Sequence, residues 1–123
     1  MKDFENKGFA IRVRPTEAGL HLSWEGEIHV PNPSDLLRPW LEQLLDLLQQ
    51  EQWQLECDFR PCVYMNSASI APLIQLLREL ASREIQSVFI YDAERKVQAA
   101  SFRALDVIAR KSPFTEIQGV PSA

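Results

Sequence analysis

The side chains with chemical potential in this chain form a few small groups, and most have a plain structural role. Cys57, Cys62, His21 and His29 offer the donors of a Cys2His2 zinc site. Their spacing is not that of a zinc finger, and alternation puts His21 on the strand face opposite Leu20 and Leu22, so all four read as structural residues. No Cys/His hydrolase motif surrounds either cysteine. Gly8, Gly19, Gly26 and Gly119 form neither a P-loop nor a dinucleotide fingerprint, so no motif recruits a nucleotide. Asp58, Asp92 and Glu94 fall near expected strand ends, where α/β ligand sites form. With no second converging group, they read as solvated loop carboxylates. The expectation is therefore no catalytic residue, no metal and no cofactor.

One polar cluster has more than a structural explanation. Asn66-Ser67-Ala68-Ser69 interrupts two apolar stretches just before a helical pattern. Asn and Ser are favoured helix N-caps, but one cap needs only one of the three polar residues. Pro72 separates two readings. If Ser69 is the cap, Pro72 is the third helical residue, where its missing N–H costs nothing, and Ser67 stands before the cap with a free hydroxyl. If Asn66 is the cap, Ser67 is first in the helix and Pro72 introduces a kink. The proline favours Ser69 as the structural cap. Either way, Ser67 lies at the positive end of a helix dipole, where a phosphate would add about 1.5 to 2 negative charges beside unsatisfied backbone N–H groups. Ser67 is the expected modification site, with Ser69 the second choice.

The elements that position this cluster follow from periodicity. Residues 9–14 alternate apolar and polar, as do residues 20–24, and the turn between them carries Pro15 and Gly19, which predicts a hairpin. Pro31-Asn32-Pro33-Ser34-Asp35 is a stop followed by a helix start. Leu37, Leu41, Leu44 and Leu48 then recur at helical spacing, widened by Trp40, Leu45 and Leu47. Pro39 requires either that regular helix begins near it or that the helix kinks there. Residues 53–59 alternate as a strand. After the polar cluster, Ile70, Leu73, Ile74, Leu77, Leu80 and Ala81 mark the apolar face of a second helix. Ser87-Val88-Phe89-Ile90-Tyr91 reads as a buried strand. A third helix is predicted over residues 97–110 with Val97, Ala104, Leu105 and Ile108 inward, and residues 113–117 as an optional last strand.

The predicted order is β-β-α-β-α-β-α(-β), an α/β fold whose mixed sheet of about four to five strands packs with about three to four helices on one face or both. At 123 residues a single domain over 1–123 is expected, with flexible ends at 1–7 and 119–123. A net charge of -4 and an isoelectric point of about 5.2 argue against nucleic acid as a partner. The chain has no apolar stretch of signal-peptide or membrane-span type, and its two cysteines suit a reducing compartment, so a cytoplasmic location is expected. The Leu-rich helix and Phe102 are candidates for an exposed apolar patch, and a homodimer is left open.

Over residues 20–117 the sequence resembles the STAS family, the sulfate-transporter and anti-sigma-factor-antagonist domain. Leu22-Ser23-Trp24-Glu25-Gly26-Glu27-Ile28 is similar to the family strand that ends Gly-Glu-Leu/Ile-Asp. Leu55-Glu56-Cys57-Asp58-Phe59 resembles its central strand, and Phe102-Arg103-Ala104-Leu105-Asp106-Val107-Ile108 its closing helix. Val63-Tyr64-Met65-Asn66-Ser67-Ala68-Ser69-Ile70 resembles the segment that holds the phosphorylated serine. Asn66 stands where members usually carry Asp, and Ala68-Ser69 where they favour Ser-Gly. Tyr64-Met65-Asn66-Ser67-Ala68-Ser69 is also similar to the Tyr-Phe-Asn-Thr-Ser-Ser segment of SiaC-like single-domain phosphoproteins, as are Asn32-Pro33, Pro39-Trp40-Leu41 and Pro113-Phe114. The resemblance implies a non-catalytic partner-switching regulator phosphorylated at Ser67. Its contact residues would be Asn66, Ser67, Ala68, Ser69, Ile70 and Asp58. Its partners would be a serine kinase or anti-sigma factor, or a related effector, and a phosphatase. The alternatives are a SiaC-like activator of a diguanylate cyclase and a phosphorylation-independent small-ligand or nucleotide-binding module.

Overall fold

In the computed structural model, which describes residues 1–122, a short strand β1 (Phe4–Asn6) pairs antiparallel with β2 (Phe9–Pro15). β2 turns into β3 (Gly19–Ile28), antiparallel from Phe9↔Gly26 to Pro15↔Leu20. Thr16 closes that turn. Its N–H donates to the Gly19 carbonyl at 2.9 Å, and its Oγ1 accepts from the Gly19 N–H at 3.0 Å. Gly26 lets β3 pass close to the β1–β2 turn: its φ is +92°, and a Cβ there would lie 2.3 Å from the Gly8 carbonyl oxygen. That carbonyl accepts the Glu27 N–H at 2.9 Å.

The chain continues through α1 (Pro33–Glu51), β4 (Gln54–Asp58), β5 (Cys62–Met65), a 3₁₀ turn (Ser67–Ser69), α2 (Ile70–Ser82), β6 (Ser87–Asp92), α3 (Lys96–Ala109) and β7 (Thr115–Val120). The sheet order is β1-β2-β3-β4-β6-β7, with β5 beside β3. β3, β4, β6 and β7 run parallel, and β5 is parallel to the far end of β3, at Gly26 to Ile28. Because this parallel part always advances in one direction, right-handed crossovers put all three helices on the same face. Burial agrees. Leu20, Leu22 and Trp24 are buried, while His21, Ser23 and Glu25 on the opposite face are half-buried.

The fold is thus α/β with a mixed sheet, but over residues 1–122 it has seven strands rather than four or five, and three α-helices. β1 falls in the stretch 1–7, expected to be flexible, and β7 runs into 119–123; Ala123 lies outside the described residues. β1 and β5 are the strands that periodicity missed, β5 inside the expected domain. Four residues long and paired with β3 through a register shift, β5 shows no alternation, with Val63 and Tyr64 both exposed.

Helix details depart from expectation in three places. α1 is helical from Pro33 to Glu51, so Pro39 lies inside it rather than in its first turn. Pro39 and Asp35 are both exposed, and the ring leaves the Asp35 carbonyl without its usual helical donor. In α2 the buried face is Pro72, Leu73, Leu76, Leu77 and Leu80, with Ile70, Ile74 and Ala81 only half-buried. In α3 Val97 is 67% exposed and Ala104 is exposed, whereas Gln98, Ala99, Phe102, Leu105 and Ala109 face inward. Phe102 is fully buried between Phe59 and Tyr91, with ring centroids 4.8 Å and 5.0 Å away, and offers no surface patch.

Candidate functional site

β5 ends at Met65, and the next residue ties three segments together. The Asn66 N–H donates to the Ile28 carbonyl at 3.1 Å, and its Nδ2 donates to the Val30 carbonyl at 2.8 Å. Its Oδ1 accepts from the Ser69 N–H at 3.1 Å and from the Ser69 hydroxyl at 2.7 Å. Asn66 is therefore the capping side chain, which corrects the expectation that Ser69 plays that part. Yet α2 itself begins at Ile70 and has Pro72 third, the position in which its missing N–H is harmless. The 3₁₀ turn reconciles the two readings: Asn66 caps the turn, and the turn feeds α2 with Pro72 in its first turn.

The two serines of the turn have opposite environments. Ser69 is 2% exposed, and its hydroxyl is committed to Asn66. Ser67 is exposed, as is Ala68, and the Ser67 hydroxyl makes no hydrogen bond among the described residues. Ile70 is half-buried and packs against the core. Beside the turn, His29 stacks on Tyr64 with centroids 4.7 Å apart, and its Nε2 lies 3.1 Å from Glu27 Oε1. His29 sits between the two residues whose carbonyls hold Asn66. Their stacking carried no sequence signal, because it depends on the pairing of β3 with β5.

Of the strand-end acids, Asp58 and Asp92 are buried and paired rather than solvated as expected, and Glu94 is exposed. Asp58, 8% exposed, accepts from the Arg60 N–H at 3.0 Å, from Nε at 2.9 Å and from Nη2 at 2.8 Å. Burial pushes its carboxyl up, but these bonds and the Arg60 charge outweigh it and hold it below the ordinary value. No hydrogen bond joins Asp58 to residues 66–70 among the described residues. Asp92 ends β6, and both its carboxylate oxygens accept from the Ser122 hydroxyl, at 2.7 and 2.6 Å. That bond lowers its carboxyl, helped by the Glu94 N–H and by Arg95. Gln98 explains the rotated face of α3. Its Nε2 donates at 2.9 Å to both the Phe59 and Cys62 carbonyls, and its Oε1 accepts from the Asp92 N–H at 2.6 Å. A polar residue at an inward position is masked in any hydrophobic pattern, so sequence reading placed Val97 there instead.

The cysteines and histidines do not converge. Burial pushes Cys57 up and Cys62 up to about 11, so both remain thiols at neutral pH. His21 bonds Glu56 at 2.9 Å on the open face of the sheet, away from the stacked His29. Among the described residues no group of three or more His, Cys, Asp or Glu side chains is placed to hold a metal ion, and no helix is long and apolar enough to cross a membrane. Known protein-family models give no match to the chain, and neither do curated proteins.

Proposed function

We propose that this chain is a non-catalytic partner-switching regulator that resembles an anti-sigma-factor antagonist and is controlled by reversible phosphorylation at Ser67. One observation carries the reading: within a single turn, Ser67 is exposed with a free hydroxyl while Ser69 is buried with its hydroxyl engaged. A kinase can reach the first without opening the fold. The second becomes accessible only after the Asn66 cap breaks. A phosphate on Ser67 adds about 1.5 to 2 negative charges at the start of α2, where backbone N–H groups and the helix dipole tolerate it. The folded state persists, and the change falls on whatever partner covers the turn, Ala68 and the neighbouring Tyr64.

The partners in this reading are a serine kinase or anti-sigma factor, or a related effector, and a phosphatase. The test is intact-mass analysis after incubation with the serine kinases encoded near its gene, for wild type, Ser67→Ala and Ser69→Ala. One phosphate on wild type and Ser69→Ala, with none on Ser67→Ala, is expected. Modification that survives Ser67→Ala, or none on wild type with any of these kinases, removes the basis of the proposal.

A further inference from the structure

The two outer strands of the sheet differ in what guards them. β1 is three residues long, and past its start the Asp3 carboxylate accepts the Val13 N–H of β2 at 2.8 Å. β7 is six residues long and carries no lysine, proline or bulge. Two bonds fix which way its backbone points: the Ser87 N–H donates to the Phe114 carbonyl and the Ala93 N–H to the Val120 carbonyl, both at 2.8 Å. In the parallel register Ser87↔Thr115 to Asp92↔Val120, Glu116 and Gln118 then turn their N–H and C=O groups to β6. Thr115, Ile117 and Gly119 turn theirs outward, a row of donors and acceptors with no partner among the described residues.

A row of cations overhangs this edge. Residues 95–111 hold five of the 13 Lys and Arg of the chain and one of its 17 Asp and Glu, although the net charge is -4. α3 packs over β6 and β7. Its Val97 and Ser101 border a small cleft with Cys62 and Tyr64 of β5, which lies on the β3 side of the sheet. At about 100° per residue, the opposite flank of α3 carries Lys96, Arg103 and Arg110, all exposed and on the side of the free β7 edge. Arg110 is 2.8 Å from Asp106, whereas Lys96 and Arg103 have no ion pair among the described residues. The row spans about 21 Å at ~1.5 Å per residue, and β7 about 20 Å at ~3.3 Å per residue.

We propose that the free edge of β7 takes up an extended, acidic segment of a protein partner as a further strand of the sheet. The outward N–H and C=O groups of Thr115, Ile117 and Gly119 call for an extended chain, since a helix satisfies its backbone internally. The cations of α3 call for Asp or Glu at alternate residues of that chain, on its helix side. They also disfavour a second copy, because pairing β7 with β7 would bring two such rows of like charge together. This surface lies beyond β6, away from the turn that holds Ser67, and its use does not depend on phosphorylation there.

The probe is a fluorescein-labelled peptide of about eight residues that alternates Glu and Val, long enough to cover β7. Its controls are the same peptide with Lys for Glu, and one N-methylated at every residue, which keeps the charge and loses every donor. Fluorescence anisotropy should show saturable binding of the Glu peptide to the full chain, weakening as salt rises, and none of either control. Arg103→Glu should weaken that binding by about threefold to tenfold, as expected for reversal of an exposed charge contact. Arg78→Glu, the same charge change at an exposed position of α2, should leave it intact. Amide exchange followed by nuclear magnetic resonance should slow at Thr115, Ile117 and Gly119 when the peptide is added. The proposal is overturned if the Glu peptide shows no saturable binding, or if the N-methylated peptide binds as well. It is also overturned if Arg78→Glu weakens binding as much as Arg103→Glu, or if the slowed amides lie elsewhere. Slowing of the same three amides by protein concentration alone would give the edge to a second copy and overturn it as well.

Discussion

Replacing Asn66 with alanine removes every side-chain bond that holds the 3₁₀ turn. The Ser69 N–H loses its capping acceptor, a change of about 0.5–2 kcal/mol. The Ser69 hydroxyl, 2% exposed, is left without a partner at about 1–3 kcal/mol. The carbonyl of Val30, a half-buried residue, loses a donor at the low end of about 0.5–1.5 kcal/mol. These terms share one side chain and do not add fully, so the expected loss is about 2–4 kcal/mol. For a domain of this size that lowers Tm by roughly 10 °C. Urea denaturation followed by circular dichroism should show a lower midpoint with an unchanged slope. A double-mutant cycle sharpens the result. Since Asn66 holds the Ser69 hydroxyl, Asn66→Ala with Ser69→Ala should cost about 1 kcal/mol less than the sum of the single changes. A loss below about 1 kcal/mol for Asn66→Ala, or strict additivity in the cycle, would refute the view that this side chain holds the turn.

Two further measurements probe the surrounding frame. Phe102→Ala empties a fully buried site between Phe59 and Tyr91 and should cost about 3–5 kcal/mol in urea unfolding, whereas Val97→Ala, 67% exposed, should stay within about 0.5 kcal/mol. Equal effects would contradict the orientation assigned to α3. Because the folded Asp58 carboxyl lies below its ordinary value, its pairing with Arg60 stabilises the fold above the unfolded-state pKa of about 3.9 and is lost as pH falls through the lower folded value. Asp58→Asn should therefore be less stable than wild type at neutral pH, with the gap shrinking once pH drops below about 3.9; a gap that is constant with pH would show that the charge of Asp58 does not contribute.

Long, regular segments were legible in the sequence because their period reports the face they bury. The hairpin of β2 and β3, the Leu stripe of α1 and the apolar run of β6 all appear where alternation and helical spacing put them. The errors arose where a local rule met a non-local partner. β1 and β5 are too short to display a period, and their strand character comes from β2 and β3. The face of α3 is set by Gln98, which turns inward to satisfy carbonyls of the β4–β5 link that no local pattern reveals. At the turn, Pro72 correctly marked the third position of α2, but the choice of capping side chain depended on the Ile28 and Val30 carbonyls lying within reach of Asn66. The contrast between one free serine and one occupied serine was accessible to sequence reasoning; the identity of the residue that occupies Ser69 was not.

β3 is paired along both edges, with β2 on one side and β4 and β5 in succession on the other, while β5 holds to it at only three register positions interrupted by a shift. Opening free energy is therefore unevenly distributed across the sheet. Amides of β3 should exchange with solvent only on global unfolding, and those of β5 and the Asn66 turn through a smaller local opening that leaves β4, β6 and the helices closed. That opening breaks the Asn66 cap, so it is the route by which the buried Ser69 hydroxyl, unlike the already exposed Ser67, meets solvent at a free energy below that of unfolding the domain.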